Sequence, residues 1–286
     1  MKILILGIGK SGTTALVYKV SGGLKNCQAF SGGKPGKYLG EYENAVYKHI
    51  YNEGKGKSFE LYRDHLNRVH YDRKIWMARD PRDAAVSQML YRWHRGCRGN
   101  KAQYRAHLNL VLKKEQDPNS IPFYEICRYA NFGDWPRDKE EFFEEEQVRY
   151  RRMRDFVSNL GDDWFVFRYE DMVNKQFADL NAHLGFNISP DAQVPSGTGK
   201  QKVVRKKATG DWRHWFTEED VEFIKPAYLP YMKLIRYDCE EWDLEPDPVI
   251  EPEYSSMYML GLVKRQRKYN LFGSLLKWMK QRPVIH

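Results

Sequence analysis

Apolar positions along this chain fall into short continuous blocks set between longer stretches of helical periodicity. Ile3-Leu4-Ile5-Leu6 and Ile75-Trp76-Met77-Ala78 are such blocks, and Trp164-Phe165-Val166-Phe167 is a third. The first two read as buried strands, and the third as a further strand. The pattern places strands at 2–6, 59–62, 74–78 and 164–168, and helices at 12–20, 83–95, 101–114, 139–160 and 175–184. Strands alternating with helices predict the α/β class, with a central parallel sheet in a three-layer α/β/α arrangement. Ligands of such sheets bind at the carboxyl ends of the strands, and Gly7, Arg79 and Tyr169 all fall at expected strand ends.

The first strand breaks into Gly7-Ile-Gly9-Lys10-Ser11-Gly12-Thr13-Thr14. Glycines between a strand and a helix let backbone N–H groups point at one anion, and Lys10 and the hydroxyls add charge and donors. A Walker A loop needs a glycine five residues before Gly9, where Leu4 stands. Gly7-x-Gly9-x-x-Gly12 matches the dinucleotide fingerprint, but the acidic residue wanted about 20 residues on is missing, since Glu41 and Glu43 come too late. The third reading is a 5′-phosphosulfate loop, Lys10 to Thr14.

A second grip follows at the third strand. Arg79 closes it, Pro81 suits a helix start, and Ser87 sits about two turns in. The planar guanidinium of an arginine binds two phosphate oxygens at once. The plainer alternative is a helix-start ion pair among Arg79, Asp80 and Arg82.

These residues resemble the sulfotransferase superfamily that uses 3′-phosphoadenosine 5′-phosphosulfate. Lys10-Ser-Gly-Thr-Thr14 resembles its 5′-phosphosulfate loop, and Arg79 with Ser87 its 3′-phosphate pair. Val166-Phe-Arg-Tyr-Glu-Asp-Met172 resembles the element whose tyrosine, here Tyr169, lies near the adenine. Arg205-Lys-Lys-Ala-Thr-Gly-Asp-Trp-Arg213 resembles the late segment that closes over the 3′-phosphate, through Arg205 and Lys206. The four matches run in the family's order over about residues 1–240. Ala15 stands where many relatives carry a tryptophan for adenine stacking, and Lys207 replaces a glycine. The resemblance implies a P-loop NTPase-like fold. It also implies a nucleotide site of Gly9, Lys10, Ser11, Gly12, Thr13, Thr14, Arg79, Ser87, Tyr169, Arg205 and Lys206, with adenosine 3′,5′-bisphosphate as the product.

Sulfuryl transfer needs in-line positioning and compensation of charge on the leaving oxygen. Lys10 is the expected source of that charge, with Thr13, Thr14 and the helix N-terminus on the 5′-phosphate. The base that takes the acceptor's proton is expected at His65, in Phe59-Glu-Leu-Tyr-Arg-Asp-His-Leu66, with Asp64 and Glu60 as competitors. Lys10, His65 and Ser87 form the expected catalytic set, without a metal. His49, His94, His107, His183, His214 and His286 read as ordinary histidines. Two other readings stay open: an ATP-dependent P-loop-like kinase, and a non-catalytic protein binding anionic glycan or nucleic acid.

Composition narrows this further. Net charge is +9, from 47 Lys+Arg against 38 Asp+Glu, which favours an anionic partner. No nucleic-acid motif accompanies the charge. Four scattered cysteines without C-x-x-C spacing read as reduced thiols. No run reaches the about 20 apolar residues of a membrane span, and the first strand is too short for a signal peptide, so a soluble cytoplasmic protein is expected. Aromatics between Tyr91 and Trp135 offer an acceptor pocket. Glu140–Glu146 followed by Arg149–Arg154 reads as a solvated helix face. Residues 1–244 form the expected catalytic domain. Residues 245–286 form a Pro-rich linker and a basic amphipathic tail, expected to pack on the domain or a twin subunit, with an anionic membrane surface as the alternative.

Overall fold

The computed structural model describes residues 1–30, 41–51, 70–95, 97, 100–130, 138–195 and 209–264. Five strands form one sheet: β1 (Lys2–Gly7), β2 (Cys27–Phe30), β3 (Asn44–Ile50), β4 (Arg73–Ala78) and β5 (Trp164–Arg168). Their order is β2-β3-β1-β4-β5, and every pairing is parallel. The sheet is therefore the parallel one expected, and β1, β4 and β5 lie where the apolar blocks predict them.

The helices are α1 (Thr13–Gly22), α2 (Pro81–Tyr91), α3 (Lys101–Gln116), α4 (Phe123–Tyr129), α5 (Lys139–Ser158), α6 (Tyr169–Val173), α7 (Ala178–Leu184), α8 (Trp212–Trp215) and α9 (Glu218–Leu234). A further helix runs over 256–264. Side chains alternate across the strands, so each strand feeds two cores. Ile3, Ile5, Ile75 and Met77 pack with Leu16, Val17 and Val20 of α1 and with Leu180 and Leu184 of α7. Leu6, Trp76 and Ala78 point the other way, into α2, α5 and α9. There the buried Trp76 Nε1 donates to Tyr231 Oη at 3.1 Å. Helices thus cover both faces, giving the three layers.

Local chemistry sets the helix ends. The Asp80 carboxylate accepts from Arg82 N, and Pro81 opens α2. Thr217 and Asp220 form a reciprocal capping box at α9. That helix carries Pro226 and Pro230 in its interior, residues that break helical patterns and conceal it from a sequence reading. The expected strand at 59–62 lies outside the described residues.

The expected tail packs on the domain over its described part, with Ile250, Met259 and Val263 buried in the α2–α5–α9 cluster. Among the described residues, no helix is long and apolar enough to cross a membrane.

Candidate phosphate-binding site

Register brings four strand ends together: Gly7 of β1 lies beside Ile50 of β3 and Met77 of β4, and Ala78 lies beside Arg168 of β5. The chain leaves β1 toward the β2 edge and leaves β4 toward the β5 edge. The crevice between β1 and β4 is therefore the switch point where such sheets take ligands.

The loop after β1 is fixed by its own contacts. Ser11 is fully buried, and its Oγ donates to Ile8 O at 2.8 Å. A Cβ on Gly7 would stand 2.6 Å from Met77 O, so β4 itself demands glycine there. Gly9 has open space around it. Lys10 holds a left-handed backbone at φ 72°, a conformation that costs an L-residue about 1–2 kcal/mol. Arg79 Nη1 donates to Lys10 O at 2.8 Å and helps hold it. The Lys10 ammonium rests 3.9 Å from the centre of the Tyr91 ring.

Helix α1 opens toward this loop. Gly12 is its N-cap at φ 86°, no side chain caps the first N–H groups, and its first turn holds no acidic residue. These are the conditions for an anion at a helix start. Lys48, buried in the middle of β3, donates to Thr14 Oγ1 at 2.7 Å. It adds a second cation to the loop that the sequence reading does not identify. Its neighbour His49, also buried, lies on the opposite face of the strand by alternation.

Arg79, buried at the end of β4, faces the Tyr169 ring at 4.4 Å. Its Nε is buried without a hydrogen-bond partner among the described residues. A buried guanidinium N–H left in that state is a donor available to an anion. The Tyr169 ring also closes on Gly12, where a Cβ would stand 2.6 Å from its Cδ2. One tyrosine thus links the two expected phosphate grips. Ser87 is half-buried on α2, one turn before Tyr91 on the same helix face. Gln88 Nε2 donates to Gly9 O at 3.1 Å, and Arg149 Nη2 donates to Gln88 Oε1 at 2.7 Å. Arg149, expected on a solvated face, is half-buried against α2 instead.

Charged groups also cluster at the start of α2, next to Arg79 in the chain. Asp80 pairs with Arg82 at 2.7 Å, and the Arg82 guanidinium rests against both Trp212 and Trp242, 4.1 and 4.7 Å from their ring centres. The buried Asp83 carboxylate accepts from Gly210 N at 2.7 Å and Trp212 N at 3.1 Å. Burial, and then the Asp80 charge, push the Asp83 carboxyl up to about 7, against Arg79 and the two amides. Burial also raises Glu170, which accepts from Tyr237 Oη and, at 3.3 Å, from Asp80 N. The Asp83 bonds tie the end of the 205–213 segment to the first turn of α2. Arg205 and Lys206 themselves lie outside the described residues, as do His65, Asp64 and Glu60.

No protein-family profile and no curated protein matches the chain. Among solved structures it is similar to the crystal structure of mouse sulfotransferase SULT7A1 complexed with PAP. The identity is 16% over 83% of this chain and 89% of that one, with a TM-score of 0.47. A likeness this distant carries no argument for what this chain binds or does.

Proposed function

We propose that this chain is a sulfotransferase, moving a sulfuryl group from 3′-phosphoadenosine 5′-phosphosulfate to an acceptor hydroxyl or amine. The observation that carries this reading is the convergence of two cationic grips on one tyrosine. The Lys10–Thr14 loop meets Tyr169 through Gly12, and Arg79, whose Nε has no partner among the described residues, faces the same ring. A nucleotide with phosphates at two separate positions needs two such grips.

On this reading Gly12, Thr13, Thr14 and Lys48 hold the 5′-phosphate, and Arg79 with Ser87 holds the 3′-phosphate, joined by Arg205 and Lys206. The bond between sulfur and the bridging oxygen breaks as the bond from sulfur to the acceptor oxygen or nitrogen forms. Lys10 offsets the charge gathering on the bridging oxygen, and the acceptor's proton passes to a base, His65 being the first candidate.

The test is calorimetry with adenosine 3′,5′-bisphosphate, ATP, AMP and NAD, each with and without Mg²⁺. Metal-independent binding of the bisphosphate in preference to the others is expected. A preference for ATP with Mg²⁺ would overturn the reading.

A further inference from the structure

Away from the phosphate loop, helices α2, α4, α5 and α9 border a cavity of about 130 Å³. Phe123, Tyr124, Phe143, Phe223 and Tyr228 supply an aromatic wall. The rings brace one another: Phe143 and Tyr124 lie 4.0 and 4.9 Å from the Phe223 ring, centre to centre. Gln88 of α2 divides this space from the loop, since it lines the cavity and its Nε2 donates to Gly9 O at 3.1 Å. The Lys10 ammonium lies over Tyr91, about a third of a turn round α2 from the Ala85, Gln88 and Met89 stripe that lines the cavity.

Size and charge narrow the ligand. The volume is close to the ~150 Å³ of an apolar cavity that admits benzene, so it suits a single ring. Charged side chains of both signs line the space, Glu146 with Arg92 and Arg149, so a ligand of either charge meets its like. Aromatic faces attract cations, but the Lys139 ammonium already lies 4.6 and 5.2 Å from the Tyr124 and Phe223 ring centres. A neutral ring is favoured. Glu146 then adds a direction to the site. Its side chain is only 18% exposed, and its two carboxylate oxygens offer about four acceptor sites. Arg149 Nη1 donates to Oε1 at 3.2 Å, and Tyr228 Oη donates to Oε2 at 3.3 Å. Both bonds are long for a carboxylate acceptor, and acceptor capacity is left for a third donor.

We propose that this cavity binds a neutral single-ring aromatic molecule carrying one O–H or N–H donor, its ring against the aromatic wall and its donor on the Glu146 carboxylate. A ring of the same size without the donor strips water from Glu146 and returns no hydrogen bond, so it binds less tightly. The site is separate from the nucleotide crevice, with Gln88 as the partition. That separateness is framed on the nucleotide reading above; the site itself does not depend on it.

The test uses the full chain with phenol as probe and toluene as its donor-free counterpart of the same size, followed by calorimetry and NMR. Saturable phenol binding, about tenfold or more tighter than toluene, is expected. Either Ala227→Phe or Ala85→Leu, filling the cavity, should weaken phenol by a similar factor while circular dichroism stays native. Glu146→Met should remove the advantage of phenol over toluene. No saturable phenol binding, toluene binding as tight as phenol, or folded cavity-filled variants that bind like the wild type would overturn the site. Tighter binding of benzoate or benzylammonium would overturn the neutral class of ligand. Adenosine 3′,5′-bisphosphate is then titrated with and without saturating phenol. Simultaneous binding supports a separate site, and loss of bisphosphate binding under phenol overturns it. A chain that binds phenol but no bisphosphate keeps the site and loses the nucleotide reading.

Discussion

Gly12 and Tyr169 are locked together: a Cβ on Gly12 would stand 2.6 Å from Tyr169 Cδ2, and the Gly12 backbone sits at φ 86°. Two penalties therefore oppose any side chain at Gly12. The left-handed backbone costs an L-residue about 1–2 kcal/mol, and the clash with the ring adds to it. Gly12→Ala should lose stability by about 2 kcal/mol or more in chemical denaturation, and lose bisphosphate affinity with it. Adding Tyr169→Ala should recover the steric part of the stability loss and leave the backbone part. A Gly12→Ala protein as stable as the wild type would break the link.

Lys10 carries its own backbone strain at φ 72°, which makes function and stability separable. Glycine takes that conformation freely, so Lys10→Gly should leave folding stability unchanged or raise it by up to about 1 kcal/mol. On the proposed mechanism it should also cost about 10²–10³ in turnover, the scale of one lost charge-stabilising donor. Thermal melts and sulfuryl-transfer assays on the same preparation decide the matter. Retained turnover would remove Lys10 from the chemistry.

Much of this arrangement is legible in the sequence because it rests on short-range signals. Ile3–Leu6 and Ile75–Ala78 are apolar without interruption, and Gly7, Gly12 and Pro81 mark where the strands give way to loop and helix. What escapes the sequence is residues whose role depends on a distant partner. Lys48 and His49 interrupt β3, yet Ala45–His49 is buried throughout. Thr14 lies 34 positions from Lys48, and no periodicity reports such a pair. Arg149 looks like one more cation in a charged helix until α2 is packed against it. The two prolines of α9 conceal a helix that its capping box and its packing against α5 sustain, with Tyr228 and Tyr150 rings 4.1 Å apart.

Asp83 gives the fold a pH dependence whose sign follows from its burial. Its carboxyl is raised from 3.8 to about 7 in the folded protein. Between those values the folded state holds a proton that the unfolded state has released. This group's contribution is therefore fully present at acid pH and is lost as pH rises toward 7. Asp83→Asn removes the titration, at the cost of presenting an amide NH₂ to one of the two backbone N–H groups. Denaturant midpoints from pH 4 to 8 should fall with pH more steeply for the wild type than for the variant. Parallel profiles would show that Asp83 does not titrate in that range.

Glu115 fastens the chain's last described helix to α3. Its carboxylate accepts from Ser255 Oγ, from Ser256 N at 2.7 Å and from Ser256 Oγ at 3.0 Å. It stands at the start of the 256–264 helix, where a negative charge also suits the helix dipole. The helix in turn buries Met259 fully and Leu262 and Val263 nearly so. Removing the carboxylate leaves buried donors unsatisfied, a loss of about 1–3 kcal/mol, so Glu115→Ala should lower the melting temperature. Opening of the helix should also expose the Pro-rich 245–253 stretch to protease well before the rest of the domain. Glu115→Gln keeps one acceptor oxygen and should fall between the two. If Glu115→Ala is cut no faster than the wild type, the apolar contacts of Met259 and Val263 hold the helix unaided, and Met259→Ala should then give the early cleavage instead.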